Sequence, residues 1–392
     1  MVGARIYHAR LMAGMTRADV ADALDRVGIP TSSSRISKFE SGNVAVNSTM
    51  LLALSKLFDV PPVWLLHKPT TTVDWLAYRK RSTLPKRTRT EIELSANDVA
   101  SLHVELREKL YPDASFEFSE RVKVVDAKGA EEAAQMLRAA WGLGDTPIEN
   151  LTQTAETRGV VVIGQNQVSE RFDGLAGYIG EDVPVIVINS EVETDRQRFN
   201  LAHELGHLVM QTSDDTAEKL AHRFAAALLV PEEVARRELG ENRNTVSFLE
   251  LGALKRRYGL SMQGWVYRAS DLGIFSSGLV RAFWREVNRR GWKKSEPFDF
   301  VADEEPVLLN QMISRALEGG VVSTERIQQA LPQYEFQSSF SEVSEPPSAT
   351  ELMKMSAEER KAWTTRAFAK AKEMDFEIFE AFGEEELRHL GE

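Results

Sequence analysis

The chain has 392 residues, 43% of them hydrophobic and 27% charged, which is enough apolar material for two or three cores and excludes a wholly disordered polypeptide. It contains no cysteine, so disulfides and thiolate metal sites are excluded and any metal must be held by His, Asp or Glu. A net charge of −11 argues against a surface that binds nucleic acid throughout. However, residues 1–90 carry 14 basic against 6 acidic side chains and residues 335–392 carry 7 against 14, so a basic end and an acidic tail are expected.

The N-terminal sequence MVGARIYHARLMAGM lacks the apolar run of a secretory signal, and no stretch approaches the length of a membrane span. A cytoplasmic protein with no membrane partner is the expectation. Over the first 67 residues, apolar side chains at mostly three- and four-residue spacings, from Ile6 through Leu24, Ile36 and Phe39 to Leu57 and Phe58, predict a set of short helices. Thr16 caps one over Arg17 to Val27, stopped by Gly28-Ile29-Pro30. Asn47 or Ser48 caps another, stopped by Asp59-Val60-Pro61-Pro62.

Residues 71–90, which include the basic run RKRSTLPKRTR, read as a linker, and a helix is expected near Glu91 to Leu110. A mixed region follows: a helix from Glu131 to Trp141, strands over Gly159–Ile163 and Val183–Ile188, and between them an Asp173-Gly174 turn and a Gly177–Ile179 run suited to a small antiparallel sheet. Helices are then expected over 195–212 and 216–230, the second stopped by Pro231, and over 246–258, 262–272 and 276–290. Residues 276–334 form a helical extension. Residues 335–350, rich in Ser, Glu and Pro, read as a flexible linker to an acidic helical tail over 351–392, where Phe376, Phe379 and Phe382 make an apolar stripe.

The chemistry concentrates in RQRFNLAHELGHLVM. On a helix, His203 and His207 project from one face, close enough to share a zinc ion, and Glu204 lies beside them to take a proton from metal-bound water. A third ligand is required, and the next helix offers Glu218 and, four residues on, His222. Glu218 is assigned as the ligand and His222 as the residue that orients a ligating imidazole, with the reverse assignment left open. The strand Val185 to Asn189 either pairs with an extended substrate along a sheet edge or is a buried core strand. Tyr178 could reach an oxyanion, but it reads better as a packing residue and is left out of the catalytic set.

The run GLAGYIGEDVPVIVINSEVETDRQRFNLAHELGHLVM, followed by EKLAHRFAAALLVP, resembles the ImmA/IrrE family of metallopeptidases, and the likeness extends over about residues 79 to 275. It implies a minimal zincin-like fold, a domain over 91–275, His203, His207 and Glu218 as zinc ligands, Glu204 as general base, and a helix-turn-helix repressor as protein substrate. His222 departs from the Asn or Asp more usual in its place. The segment TRADVADALDRVGIPTSSSRISKFESGN, with LLALSKLFDVPPVWLL after it, resembles Xre/Cro-type helix-turn-helix domains, which implies a DNA-binding domain over residues 1–70. In that arrangement Ser33, Ser34, Arg35 and Lys38 face a double-stranded DNA operator.

The expected fold is therefore mainly α with a small α+β part: an all-α helix-turn-helix domain, a zincin-like metallopeptidase domain and a helical C-terminal region. The expected function is a homodimeric DNA-binding regulator whose zinc-dependent endopeptidase cleaves a repressor. The alternative is an antitoxin or transcription factor whose peptidase-like domain and acidic tail bind a partner toxin. Self-cleavage near residues 335–350 is a third reading.

Overall fold

A computed structural model describes residues 2–67, 71–76, 84–114, 118, 121–166, 172–180, 182–213, 215–332 and 334. The described residues form sixteen helices and six short strands, mainly α with a small sheet region. The linker and tail expected over 335–392, with the Phe376, Phe379 and Phe382 stripe, lie outside the described residues.

The N-terminal helices are α1 (Val2–Met12), α2 (Arg17–Arg26), α3 (Ser33–Glu40), α4 (Ser48–Phe58) and α5 (Pro62–Leu66). Their boundaries follow from local hydrogen bonding. Thr16 caps α2 in a capping box, its hydroxyl accepting from the Asp19 N–H at 3.2 Å while Asp19 accepts from the Thr16 N–H at 2.7 Å. Ser32 caps α3 and Asn47 caps α4, and Asp59 in the left-handed region ends α4 before Pro61 and Pro62 start α5. Ile6, Leu24, Ile36, Phe39, Leu54 and Trp64 close the core. Glu40 receives Arg10 at 2.5 Å and Arg17 at 2.7 Å, locking α3 against α1 and α2.

The sequence from residue 71 does not run as a plain linker. β1 (Val73–Trp75) pairs with a later strand, and α6 (Lys86–Leu110) starts five residues earlier than the periodicity predicts. Then come β2 (Val122–Lys123), α7 (Ala127–Ala140), α8 (Leu151–Thr157), β3 (Val161–Gln165), β4 (Gly174–Ile179), β5 (Val183–Asn189), α9 (Thr194–Val209), β6 (Met210–Gln211) and α10 (Ala217–Leu229). The main sheet has the order β1-β4-β5-β3 and is mixed rather than purely antiparallel. β4 runs antiparallel to β1 and β5, whereas β3 is parallel to β5.

Successive side chains of a strand face opposite ways, and here each face has its own cover. Val161, Ile163, Leu175, Val185 and Val187 pack with Ile92, Ala96 and Ala100 of α6. Val162, Ala176, Tyr178, Ile186 and Ile188 pack with Leu201, Leu205 and Leu208 of α9. Burial on both faces explains why β5 reads as an unbroken apolar run. Its place between β4 and β3 also overturns one expectation: both backbone edges of β5 are already hydrogen-bonded, so it cannot receive a substrate strand.

The remaining helices are α11 (Glu232–Leu239), α12 (Phe248–Tyr258), α13 (Met262–Asp271), α14 (Ser277–Arg290), α15 (Leu308–Glu318) and α16 (Thr324–Ala330). Glutamates sew the 276–334 region onto the preceding helices by accepting helix N-terminal N–H groups. Glu296 accepts from Met262 and Gln263 at the start of α13, both at 2.8 Å, and Glu304 accepts from Leu151 and Thr152 at the start of α8. Glu156 of α8 in turn accepts from Val307 and Leu308.

The N-terminal helices are docked on α6 through buried polar contacts. Arg5 reaches Asp98 at 2.5 Å and the His67 carbonyl at 2.9 Å, and His8 lies 3.2 Å from the Ser95 hydroxyl. On the same helix His103 is 2% exposed, and neither ring nitrogen has a hydrogen-bond partner. Burial first, and the Arg107 charge second, lower its pKa from 6.5 to about 3. The folded protein thus holds His103 neutral, so the associated stability is complete above pH 6.5 and is lost as pH falls toward 3. Between about pH 7.5 and pH 5.5 this group should cost about 1.4 kcal/mol of stability, and His103→Gln should remove that part of the acid sensitivity. Urea unfolding of both proteins at the two pH values measures it. Equal pH dependence in the two would disprove the neutral buried state.

Candidate metal centre

The site is built where α9 and α10 cross. Gly206 makes the crossing close, since a Cβ there would stand 3.0 Å from the Phe224 ring and 3.4 Å from the backbone of Ala221. One helical turn separates His203 from His207, so both imidazoles leave α9 on the same face toward α10. Their Nε2 atoms are 3.0 Å apart, and Glu218 from the first turn of α10 places one oxygen 3.4 Å from His203 Nε2 and the other 3.6 Å from His207 Nε2. Zinc bonds of about 2.0 to 2.2 Å set tetrahedral donors roughly 3.3 to 3.6 Å apart. The two histidine–carboxylate distances fall in that range and the nitrogen–nitrogen distance lies a little below it, so a small adjustment of the rings lets the three residues take three corners of a tetrahedron, and among the described residues this is the one such His/Cys/Asp/Glu group. Both histidines are buried, while the Glu218 side chain is 39% exposed and marks the side open to solvent.

The electrostatics match a cation site. The hydrogen bond from His203 pulls the Glu218 carboxyl down to about 2 against its partial burial. Burial works against protonation of His203, but the Glu218 hydrogen bond and the charges of Glu204, Glu218 and Asp173 outweigh it and hold the ring above its usual range. Burial, then the neighbouring His203 charge, lowers His207 to about 4. Three donors and a surrounding acidic field are thus left for a positive ion to satisfy.

Glu204 lies on the sheet side of α9, 6% exposed, and burial raises its carboxyl to about 7 against the attraction of His203. What makes room for it is Gly174, the first residue of β4. A Cβ there would stand 2.8 Å from Glu204 Oε1 and 2.8 Å from its Cγ. The Asp173-Gly174 pair is therefore not a turn, and the positive-φ glycine between β4 and β5 is Gly180. A glycine inside a strand signals close approach of another group, and that was the signal available in the sequence.

Asp173, also missed by spacing arguments, fixes this end of β4 to α9. Its carboxylate accepts from Arg196 at 2.7 Å and its carbonyl accepts from Asn200 at 3.2 Å. His222 stands beside the donor set, outside it. Its ring lies 4.5 Å from that of His203 and stacks on Phe199 at 5.8 Å, while His203 Nδ1 has no hydrogen-bond partner. Tyr178 donates its hydroxyl to the Leu208 carbonyl at 2.9 Å, which makes it a brace between β4 and α9.

In the N-terminal helices, Ser33, Ser34, Arg35 and Lys38 are exposed on α3, and Ile36 and Phe39 turn into the core. The Arg35 guanidinium lies over the Phe39 ring at 5.6 Å. Residues 27–32 connect α2 to α3, and Ser32 at the end of this connection fixes where the exposed face begins.

An exposed second helix of a helix-turn-helix, joined to a paired-histidine site on crossed helices above a small sheet, defines a DNA-binding protein with a peptidase-type domain. Residues 6–65 match the helix-turn-helix family, and residues 155–270 match the IrrE N-terminal-like domain of a metallopeptidase family. The chain thus carries an Xre-type DNA-binding domain followed by an ImmA/IrrE-type peptidase domain. It is similar to the radiation response metalloprotease IrrE of Deinococcus radiodurans, with 39% identity over 66 residues. That stretch is 13% of this chain and 20% of the relative, so the likeness spans about a fifth of the relative's length. No helix among the described residues is long and apolar enough to cross a membrane.

Proposed function

We propose that this protein is a DNA-binding regulator whose peptidase domain is a zinc-dependent endopeptidase acting on a repressor-type protein. The observation that carries the reading is the convergence of His203, His207 and Glu218 within 4.8 Å of one another, with a buried carboxylate, Glu204, on the same helix. In this reading His203, His207 and Glu218 hold zinc, and the ion supplies a Lewis acid that polarises a peptide carbonyl and lowers the pKa of a water to about 7. Glu204 accepts the proton of the attacking water at its carboxylate and returns it to the leaving amine. The wall of β4 at Gly174 fixes that carboxylate in place, and His222, stacked on Phe199, stands beside the His203 ring. Ser33, Ser34, Arg35 and Lys38 read the operator, Arg35 by a bidentate contact with guanine.

Metal analysis of the full chain tests the site. Purified protein should contain about one zinc per chain, and His207→Ala and Glu218→Ala should each reduce this to near zero while the helix content is kept. Zinc retained by both variants would rule out the ligand assignment. Zinc bound without cleavage of any repressor-type protein would leave the domain as a partner-binding module.

A further inference from the structure

We infer that the DNA contact extends beyond the helix-turn-helix domain, with Lys86 and Arg87 of α6 gripping the phosphate backbone beside the start of α2. The inference rests on the DNA-binding reading of residues 6–65. When such a domain docks, the first helix of the motif crosses the backbone, and phosphates collect at helix N-terminal N–H groups and nearby cations. In this chain that helix is α2, whose cap is Thr16.

Its own charge there is largely spent. Arg10 and Arg17 share the single carboxylate of Glu40, and Asp19 closes the capping box with a further negative charge. Those four side chains sum to no net charge, so the start of α2 by itself offers little to neutralise a phosphate. Tertiary structure supplies what is missing from a distance of 72 residues along the chain. Arg87 Nη2 donates to the Met15 carbonyl at 2.9 Å, the residue directly before the α2 cap, and its charge acts on Asp19. Lys86 beside it is exposed. The first turn of α6 carries no acidic residue and begins Lys86-Arg87-Thr88-Arg89, an order that the helix dipole disfavours. A bound polyanion offsets that unfavourable charge, whereas an unoccupied solvated face does not.

The test is binding of the full chain to a labelled mixed-sequence duplex of about 30 base pairs, because non-specific affinity isolates the phosphate contribution, measured over a range of salt concentrations. Lys86→Gln should lower the slope of log affinity against log salt by about 0.9, and Lys86→Gln with Arg87→Gln by about 1.8. At about 0.1 M salt the double variant should bind tens of times more weakly. Arg35→Ala serves as the comparison for the motif itself. If Arg35→Ala weakens binding but the double variant keeps the wild-type slope, the α6 contact is wrong and the helix-turn-helix reading stands. If Lys86→Gln is silent and only Arg87→Gln acts, with a lowered melting temperature, the Met15 bond is a structural tie and the inference also fails. If the wild type does not bind the duplex at low salt, the DNA reading itself falls.

Discussion

Glu204→Gln should leave zinc at about one per chain and lower the rate of substrate cleavage by about 10²- to 10⁴-fold, the range expected for loss of a positioned general base. The substitution preserves shape, so the small space that Gly174 leaves beside Glu204 is still filled and the helix crossing is undisturbed. What changes is that an amide cannot accept the proton. Zinc content and cleavage of a purified helix-turn-helix repressor, followed by intact mass, separate the two roles. Loss of zinc would make Glu204 a ligand, and wild-type turnover would remove it from the mechanism.

Gly174→Ala should act through the same carboxylate from the opposite wall. The position has ordinary extended backbone, since it is absent from the positive-φ glycines, so alanine is not strained by its dihedrals. Its methyl would instead overlap Glu204 Oε1 and Cγ, both 2.8 Å from the Cβ position, and the glutamate must turn away. A displacement on the order of 1 Å at a reacting group costs about 10²-fold in rate. Because His203, His207 and Glu218 leave α9 and α10 on another side, metal content should not change. Full activity in Gly174→Ala would mean that the pocket wall does not position the base.

Several features were legible because they depend on chain neighbours. The four-residue repeat of His203 and His207 places both on one face wherever a helix forms. The capping box at Thr16, the cap at Asn47 and the stop at Asp59 are likewise decided by hydrogen bonds within a few residues. The likeness to ImmA/IrrE peptidases and Xre-type domains followed from these local motifs, and both family matches agree with it.

Other features depend on partners distant in sequence. The hydrophobic run of β5 fits an edge or a centre equally, and only the pairing of β3 and β4 on either side makes it central. β1 is too short to announce itself, because its order comes from backbone pairing of Val73–Trp75 with Gly177–Ile179 of β4, far along the chain. Gly174 looks like a turn until Glu204 is seen to occupy the space where its side chain would be, and Asp173 has no motif to reveal its hold on Arg196 and Asn200. Sequence by itself determined which residue types could hold a metal or meet DNA, since chemistry and helical spacing are local. Tertiary structure alone decided how the third ligand meets the first two, which wall holds the base, and where Arg87 lies, since those are set by packing between elements far apart in the chain.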